Sequence, residues 1–557
     1  MNRAGLAFFL LCMAADAQIS VPILGYVPEG PRIRMMQGIP GAGVAGPILA
    51  TGRDLALIAI SPQQDYILAT DAVTGEVLKI VPGSAPSASA IAGAIANPDS
   101  IVMSPSGSAA VLWFSATNHA QIISGLPATP SIREIDASIP GDSPGAIAVS
   151  DDGAWLAAGS FAGTGVYIFG ADAAMSAIPL DGSATALAFF HNQATLAIET
   201  PTRVSTAALP AGALQTIYAS DRTLMPAGLA VSFDNQRIAM ADFSGTLTAI
   251  DLTGNIASTL DCQCAPGALF GIGGSIFRIT DSMLGGVKLF DAENNRVLAV
   301  PPALSAALPA HIPSPRNPSG RRIAPDQTAP PLPAVTIGGL PASSGPDQQP
   351  AMTVSIASAY EEEIQGTATL TFAPSVGGDD QTIQFGTGGR TVSFIIPPGS
   401  TQASFSGASS VVVMTGTTAG TITITVSITA ALVPVPLQVT ATITLITTPA
   451  FINSVQLVQA SGGFSVLVTG FSTTRDMVSG AFQFAPSSNA TLAAATVTVP
   501  LSAAFMTWYS NSASNAVGSQ FLLTVPFTTQ NGPAADVVAV TVTLTNSKGT
   551  SSAVVNQ

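Results

Sequence analysis

A chain of 557 residues carrying a formal net charge of -14, with only 9% charged and 47% hydrophobic residues, is long enough for several domains at roughly 100 to 200 residues each and is too apolar for a disordered polymer. Lysine occurs only at Lys79, Lys288 and Lys548. That balance excludes nucleic acid as a partner, because a phosphate backbone is neutralised by clustered Lys and Arg.

In chain order the first feature is a targeting pattern: Arg3, an apolar stretch from Leu6 to Met13, and the small-x-small triplet Ala15-Asp16-Ala17 before Gln18. Residues 1–17 therefore read as a signal peptide. The mature chain is expected outside the inner membrane, secreted or at the cell surface, with the periplasm as the other compartment. Cys12 follows Leu11, where a lipid-attachment motif wants a small residue, so no lipid anchor is expected. Beyond residue 17 no run of about 20 uninterrupted apolar residues occurs, and no transmembrane helix is expected.

From residue 18 to about 305 a repeat of about 40 to 46 residues governs the pattern. A proline opens an apolar strand that ends in serine at Pro98-Asp-Ser-Ile-Val-Met-Ser104, Pro144-Gly-Ala-Ile-Ala-Val-Ser150 and Pro226-Ala-Gly-Leu-Ala-Val-Ser232. A turn and a second short strand follow, as at Asp151-Asp152-Gly153 before Ala154-Trp-Leu-Ala-Ala158. Strand, Asp-led turn and strand then close several repeats, for example Leu247-Thr-Ala-Ile-Asp251-Leu-Thr-Gly254. Four short strands per repeat describe a β-propeller blade, whose two faces are buried by its neighbours. Six or seven blades are expected, with Ile23 to Gln37 completing the blade begun near Val297.

Residues 306–334 form a proline-rich linker, including Pro313, Pro315, Pro318, Pro325, Pro330, Pro331 and Pro333. Arg316, Arg321 and Arg322 within it read as solvation. Two β-branched, period-two modules follow, at 335–447 and 448–557, each expected to be an antiparallel immunoglobulin-like sandwich. Glu361-Glu362-Glu363 reads as a charged guard on an exposed sheet edge. Met506-Thr507-Trp508-Tyr509 reads as core.

The propeller repeats resemble the YVTN-type and related extracellular bacterial β-propellers over residues 20 to 305. The whole arrangement is similar to large secreted multidomain proteins with two immunoglobulin-like modules. The resemblance implies an all-β fold, a six- to seven-bladed propeller plus two tandem sandwiches, and transfers no activity.

Chemistry is sparse. His119, His191 and His311 are the only histidines, none sits in a nucleophile-elbow context, and no phosphate loop, dinucleotide fingerprint or zinc motif appears. No catalytic residue is assigned. Asp142, Asp151, Asp152, Asp181 and Asp221 lie in or near inter-strand turns that a propeller can gather at one rim, where they either cap turns or bind a ligand. The same choice holds for Gly377-Gly378-Asp379-Asp380. No cofactor is expected, calcium being the one that such turns could take. Cys262 and Cys264 are close enough in sequence for a disulfide in an oxidising compartment, or remain free thiols. The expected function is a binding scaffold, with the propeller as platform for a protein or polysaccharide and the sandwiches as spacers. The alternative is an extracellular propeller hydrolase or lyase acting on a lactone or polysaccharide.

Overall fold

Short strands that are apolar on both faces must be sandwiched between other sheets, and this is how the repeat folds. The structure, a computed structural model, describes residues 7–11, 17–163, 165–172, 174–210, 212–220, 223–281, 286–303, 331–430, 437–460, 462–487, 491–492, 495–530 and 536–556. Most of the expected signal peptide and most of the proline-rich linker lie outside these residues. Contacts divide the chain into two units, one comprising Gly25–Met36 and Gly46–Leu298, the other Met1–Leu24, Gln37–Ala45 and Ala299–Gln557.

The first unit is a β-propeller of successive antiparallel sheets. Sheet 1 has three strands, Ile23–Glu29, Arg32–Gln37 and Val44–Ile48. Six four-stranded sheets follow, each opening with one of the repeated apolar strands. Sheet 2 opens with Leu55–Ile60, sheet 3 with Ser100–Met103 and sheet 4 with Pro144–Val149. Sheet 5 opens with Ala186–Phe189, sheet 6 with Pro226–Val231 and sheet 7 with Pro266–Gly273. These first strands lie against one another from sheet 2 to sheet 7. The second strands, such as Leu156–Ser160 and Thr195–Thr200, are almost wholly buried, whereas fourth strands such as Ser87–Ala90 and Ile256–Asp261 are largely exposed. Burial thus falls off outward along each sheet.

Strand parity builds the layers between sheets. In the second strand of sheet 3, Val111 faces sheet 4 beside Leu156 and Ala158, while its neighbour Leu112 faces sheet 2 beside Leu68. Period-two side chains on a strand buried on both sides explain why these segments read as continuous apolar runs. One expectation is corrected. Arg296–Val300 is already the fourth strand of sheet 7, so Ile23 to Gln37 does not complete that sheet but forms its own with Val44–Ile48.

The second unit holds the sheets of both C-terminal stretches. Residues 335–447 contribute a five-stranded sheet containing Ser343–Ser344, Leu437–Leu445, Gly420–Ala430, Ile364–Pro374 and Thr391–Ile396, and a three-stranded one of Val335–Gly338, Ala351–Ile356 and Val411–Val412. Phe385, Ile424 and Val426 are among the residues fully buried between them. Residues 448–557 contribute Phe451–Ala460, Gly463–Phe471 and Gln520–Gln530 to one sheet and Ser479–Pro486, Thr496–Pro500, Val537–Asn546 and Gly549–Asn556 to another. Phe464, Phe482, Phe484 and Phe527 meet in their core. Gln18–Ser20 adds to the edge of Gln520–Gln530, as does Ala7–Leu11 from within the expected signal peptide.

One expectation in this unit changes and one is met in part. Glu361 and Glu363 are exposed, but the strand they precede, Ile364–Pro374, is paired on both sides, so the run guards no sheet edge. Met506 to Tyr509 lie on a helix, Ser502–Ser510. Trp508 is buried and donates its Nε1–H to the Gln520 carbonyl at 3.1 Å, while Met506 is 72% exposed.

Candidate functional site

Each propeller sheet turns from its first to its second strand in a short hairpin, and two neighbouring hairpins enclose a hollow. In sheet 4 the turn is Ser150-Asp151-Asp152-Gly153. The Ser150 hydroxyl donates to Asp152 Oδ1 at 2.5 Å and accepts from Trp155 N at 2.9 Å, and Ala154 N donates to the same Asp152 oxygen at 2.9 Å. Gly153 closes the turn at φ +67°, and a Cβ there would press on Ser124 and Ile122; only glycine fits both demands. Sheet 6 repeats the device, with Ser232 donating to Asp234 at 2.6 Å and accepting from Arg237 N at 2.9 Å.

Asp151 does something different. Its Oδ1 accepts Ser106 N from the sheet 3 turn at 2.7 Å, and its Oδ2 accepts Asn192 N from the sheet 5 turn at 2.8 Å. One buried carboxylate therefore fastens three successive hairpins through charge-assisted bonds. Asn235 clasps the next pair, accepting from His191 N at 2.8 Å and donating to the His191 carbonyl at 3.0 Å. Burial holds the His191 imidazole below its ordinary pKa although the Asp151 charge pulls the other way, and its ring lies 4.5 Å from that of Phe233. On the other side Arg133 donates to the carbonyls of Gly153 and Gly170 at 2.8 and 3.0 Å. Its pKa is lowered by burial, with Asp152 acting against that shift.

Between these rigid turns lies a hollow of about 170 Å³ lined by Ser150, Asp151, Asp152, Trp155, Asn192, Gln193 and Ala194. It offers carboxylate, amide and indole surfaces together. Both Asp151 oxygens and Oδ1 of the exposed Asp152 are engaged as acceptors of N–H and O–H groups, so the arrangement can hold polar hydroxyls or amides.

Of the five expected aspartates, the four described ones do not gather at one rim. Asp151 and Asp152 meet at the hollow, but Asp142 stands at the other end of Pro144–Val149, a six-residue strand that spans about 20 Å. There Asp142 is a turn cap: Oδ2 accepts from the Ser160 hydroxyl and from Ala162 N and Gly163 N at 2.8 and 3.0 Å, which pushes its pKa down to about 2. Asp181, at that same end, is ion-paired with Arg203. Asp221 lies outside the described residues. Cys262 and Cys264 are joined as a disulfide inside the apolar layer between sheets 6 and 7.

The acidic turn of the second unit is structural as well. Asp380 is wholly buried and accepts from Thr382 N, Thr417 N and Thr418 N, each at 3.0 Å. Asp379 accepts from Arg390 at 2.8 Å. Among the described residues no three His, Cys, Asp or Glu side chains converge as metal ligands, and no helix is long and apolar enough to cross a membrane.

Sequence reasoning missed Glu199. In Thr195–Thr200, Leu196 and Ile198 face sheet 4, so Ala197 and Glu199 face sheet 6. Asp242 follows Met240 by two on the facing strand and points into the same layer. Glu199 is 1% exposed and, among the described residues, its Oε2 has no hydrogen-bond partner. Burial first, and the Asp242 charge second, push its pKa up to about 8. A single Glu inside Leu196-Ala-Ile-Glu-Thr200 was the available signal.

No family model matches the chain and no curated protein does. Among solved structures it is similar to a functionally unknown protein from Desulfotomaculum acetoxidans, at 15% identity over 50% of this chain and 94% of that one, with a TM-score of 0.38. It is also similar to KlHsv2 with loop 6CD replaced by a Gly-Ser linker, at 9% identity over 50% and 97%, TM-score 0.34. A third is the β-propeller domain of Myceliophteria thermophila Cps50 (Swd1), at 11% identity over 47% and 97%, TM-score 0.33. At these values the likenesses transfer no function.

Proposed function

We propose that the protein is a secreted or surface-displayed binding scaffold, in which a seven-bladed propeller, sheet 1 supplying the seventh blade, recognises its partner and two immunoglobulin-like sandwiches act as spacers. The observation that carries this reading is the state of the hollow's carboxylates. Asp151 is filled by two backbone N–H groups, and Asp152 is fixed through Oδ1 by a hydroxyl and an N–H, so the site is pre-organised for contact with polar groups of a partner. Its size agrees: about 170 Å³ falls short of the ~300 to 1,000 Å³ of sites that enclose a whole small molecule. A projecting group suits it better, such as one sugar of a polysaccharide laid along the indole of Trp155 with hydroxyls on Asp152, Asn192 and Gln193. The leader-like first 17 residues support export.

The test is a fluorescence titration of the full chain with soluble polysaccharides, using the Trp155 signal. Quenching or enhancement that saturates, and that disappears in Trp155→Phe with Asp152→Asn, supports the reading. A signal unchanged by every polymer, with turnover of a lactone or glycan detected instead, favours an enzyme.

A further inference from the structure

Sheet 7 breaks the repeat at one pair of residues. In its first two strands Leu269 is paired with Ile279 and both face sheet 6, so the next pair, Phe270 and Arg278, faces the other way. The corresponding pairs are Ala148–Ala157 in sheet 4, Ala188–Ala197 in sheet 5 and Ala230–Ala239 in sheet 6. Each of these packs into the layer before the following sheet, where neighbouring first strands lie against one another and leave room only for small side chains. The row of packed first strands ends at sheet 7, and sheet 1 has, among the described residues, three strands where the others have four. There a phenylalanine and an arginine stand in place of the two alanines.

Phe270 is 46% exposed, and the guanidinium of the half-buried Arg278 lies over its ring, Cζ 4.8 Å from the centroid. Apart from that contact Arg278 has, among the described residues, no hydrogen bond and no ion pair. Burial lowers its pKa to about 10 with no carboxylate acting against the shift, so it remains a cation at neutral pH. The other arginines withdrawn from solvent are engaged: Arg133 by carbonyls, Arg237 by carboxylates, Arg296 by Asp291 and Arg475 by the Asp379 carbonyl and Asn515. A cation partly removed from water without a counter-charge is costly, and stacking on an aromatic face recovers only part of that cost. The same stacking fixes the guanidinium plane and leaves its edge, where the N–H donors lie, unfilled.

We propose that Arg278 and Phe270 form a binding site for a small organic carboxylate that carries an apolar group. The carboxylate takes the guanidinium edge through two parallel N–H···O bonds, and the apolar group covers the exposed part of the Phe270 ring. One planar cation, with no second cation beside it, matches a planar monoanion better than it matches phosphate, which calls for more charge and more donors. The site shares no residue with the hollow at Trp155 and does not rest on it.

The test is calorimetric titration of the full chain with benzoate, phenylacetate and hexanoate, and with acetate, benzyl alcohol and inorganic phosphate as comparison probes. The proposal expects at least one of the first three to bind one to one and to exceed acetate, benzyl alcohol and phosphate. It expects Arg278→Met to lower that affinity at least about tenfold, the worth of a charge-assisted hydrogen bond, Phe270→Ala to weaken it, and Trp155→Phe to leave it untouched. Arg278→Met should melt no lower than the parent, since it removes an uncompensated cation; a purely structural arginine would lower the melting temperature and bind nothing. Labelling by phenylglyoxal, mapped by mass spectrometry, should mark Arg278 and be suppressed at that residue by the bound carboxylate. Binding by none of the three carboxylates, binding that survives Arg278→Met, or phosphate bound more tightly than all three overturns the proposal.

Discussion

Replacing Glu199 by Gln should stabilise the propeller at alkaline pH and leave it almost unchanged at acidic pH. Glu199 is protonated in the fold up to about pH 8, whereas in the unfolded chain it ionises near 4.5, the ordinary value. Because the folded-state pKa is raised, the stability it contributes is fully present below pH 4.5, declines as pH rises toward 8, and is gone above that. A gap of about 3.5 units at 1.36 kcal/mol each amounts to roughly 5 kcal/mol across the window. That is a large part of the ~5 to 15 kcal/mol of a typical fold. Gln keeps the shape and cannot ionise. Urea unfolding at pH 5, 6, 7, 8 and 9 should be followed in a Trp508→Phe background, where only the propeller residues Trp113 and Trp155 report. The reference chain should lose stability steadily from pH 5 to pH 8, and Glu199→Gln should be nearly flat. Parallel curves for the two chains would refute the assignment of a protonated Glu199 to the layer between sheets 5 and 6.

Asp142 carries the opposite sign. Its pKa of about 2 means its stabilising effect is present above the ordinary carboxylate range and disappears as pH falls through 2, so Asp142→Asn should unfold at lower urea at pH 7 and match the parent near pH 2. Phe527→Ala, which empties the meeting point of Phe464, Phe482 and Phe484, should cost about 3 to 5 kcal/mol in denaturant unfolding. In Gly366→Ala the new Cβ would stand 2.1 Å from Phe394 Cζ, so overpacking should cost about 1 to 3 kcal/mol. Millimolar calcium should leave the melting temperature unchanged, because the Asp151 and Asp380 oxygens already hold N–H groups; a calcium shift abolished by Asp151→Asn would contradict that.

Much of the propeller was legible because its determinants are local. Pro144 and Pro226 begin first strands, Ser150 and Ser232 end up as hairpin caps, and the double-sided burial of the second strands leaves uninterrupted apolar runs. The role of Asp151 was not legible, since its partners Ser106 and Asn192 lie 45 and 41 residues away and only the radial packing brings three turns together. The split between Asp142 and Asp151 follows from strand direction, which a turn motif alone does not encode. Helix Ser502–Ser510 escaped notice because it has no acidic first turn and no side-chain cap, and its Thr507-Trp508-Tyr509 run favours strand by propensity. Pairing of Gln18–Ser20 with Gln520–Gln530 is a contact across nearly the whole chain, carried by three residues with no pattern of their own.

The most direct test of the central claim is thermal unfolding of the full chain, and of its Trp155→Phe, Asp152→Asn variant, against a panel of soluble polysaccharides, since a ligand that binds only the native state must raise apparent stability. At least one polymer should raise the melting temperature of the parent and leave the variant unmoved. An equal rise in both chains, or none in either, would contradict recognition at the hollow.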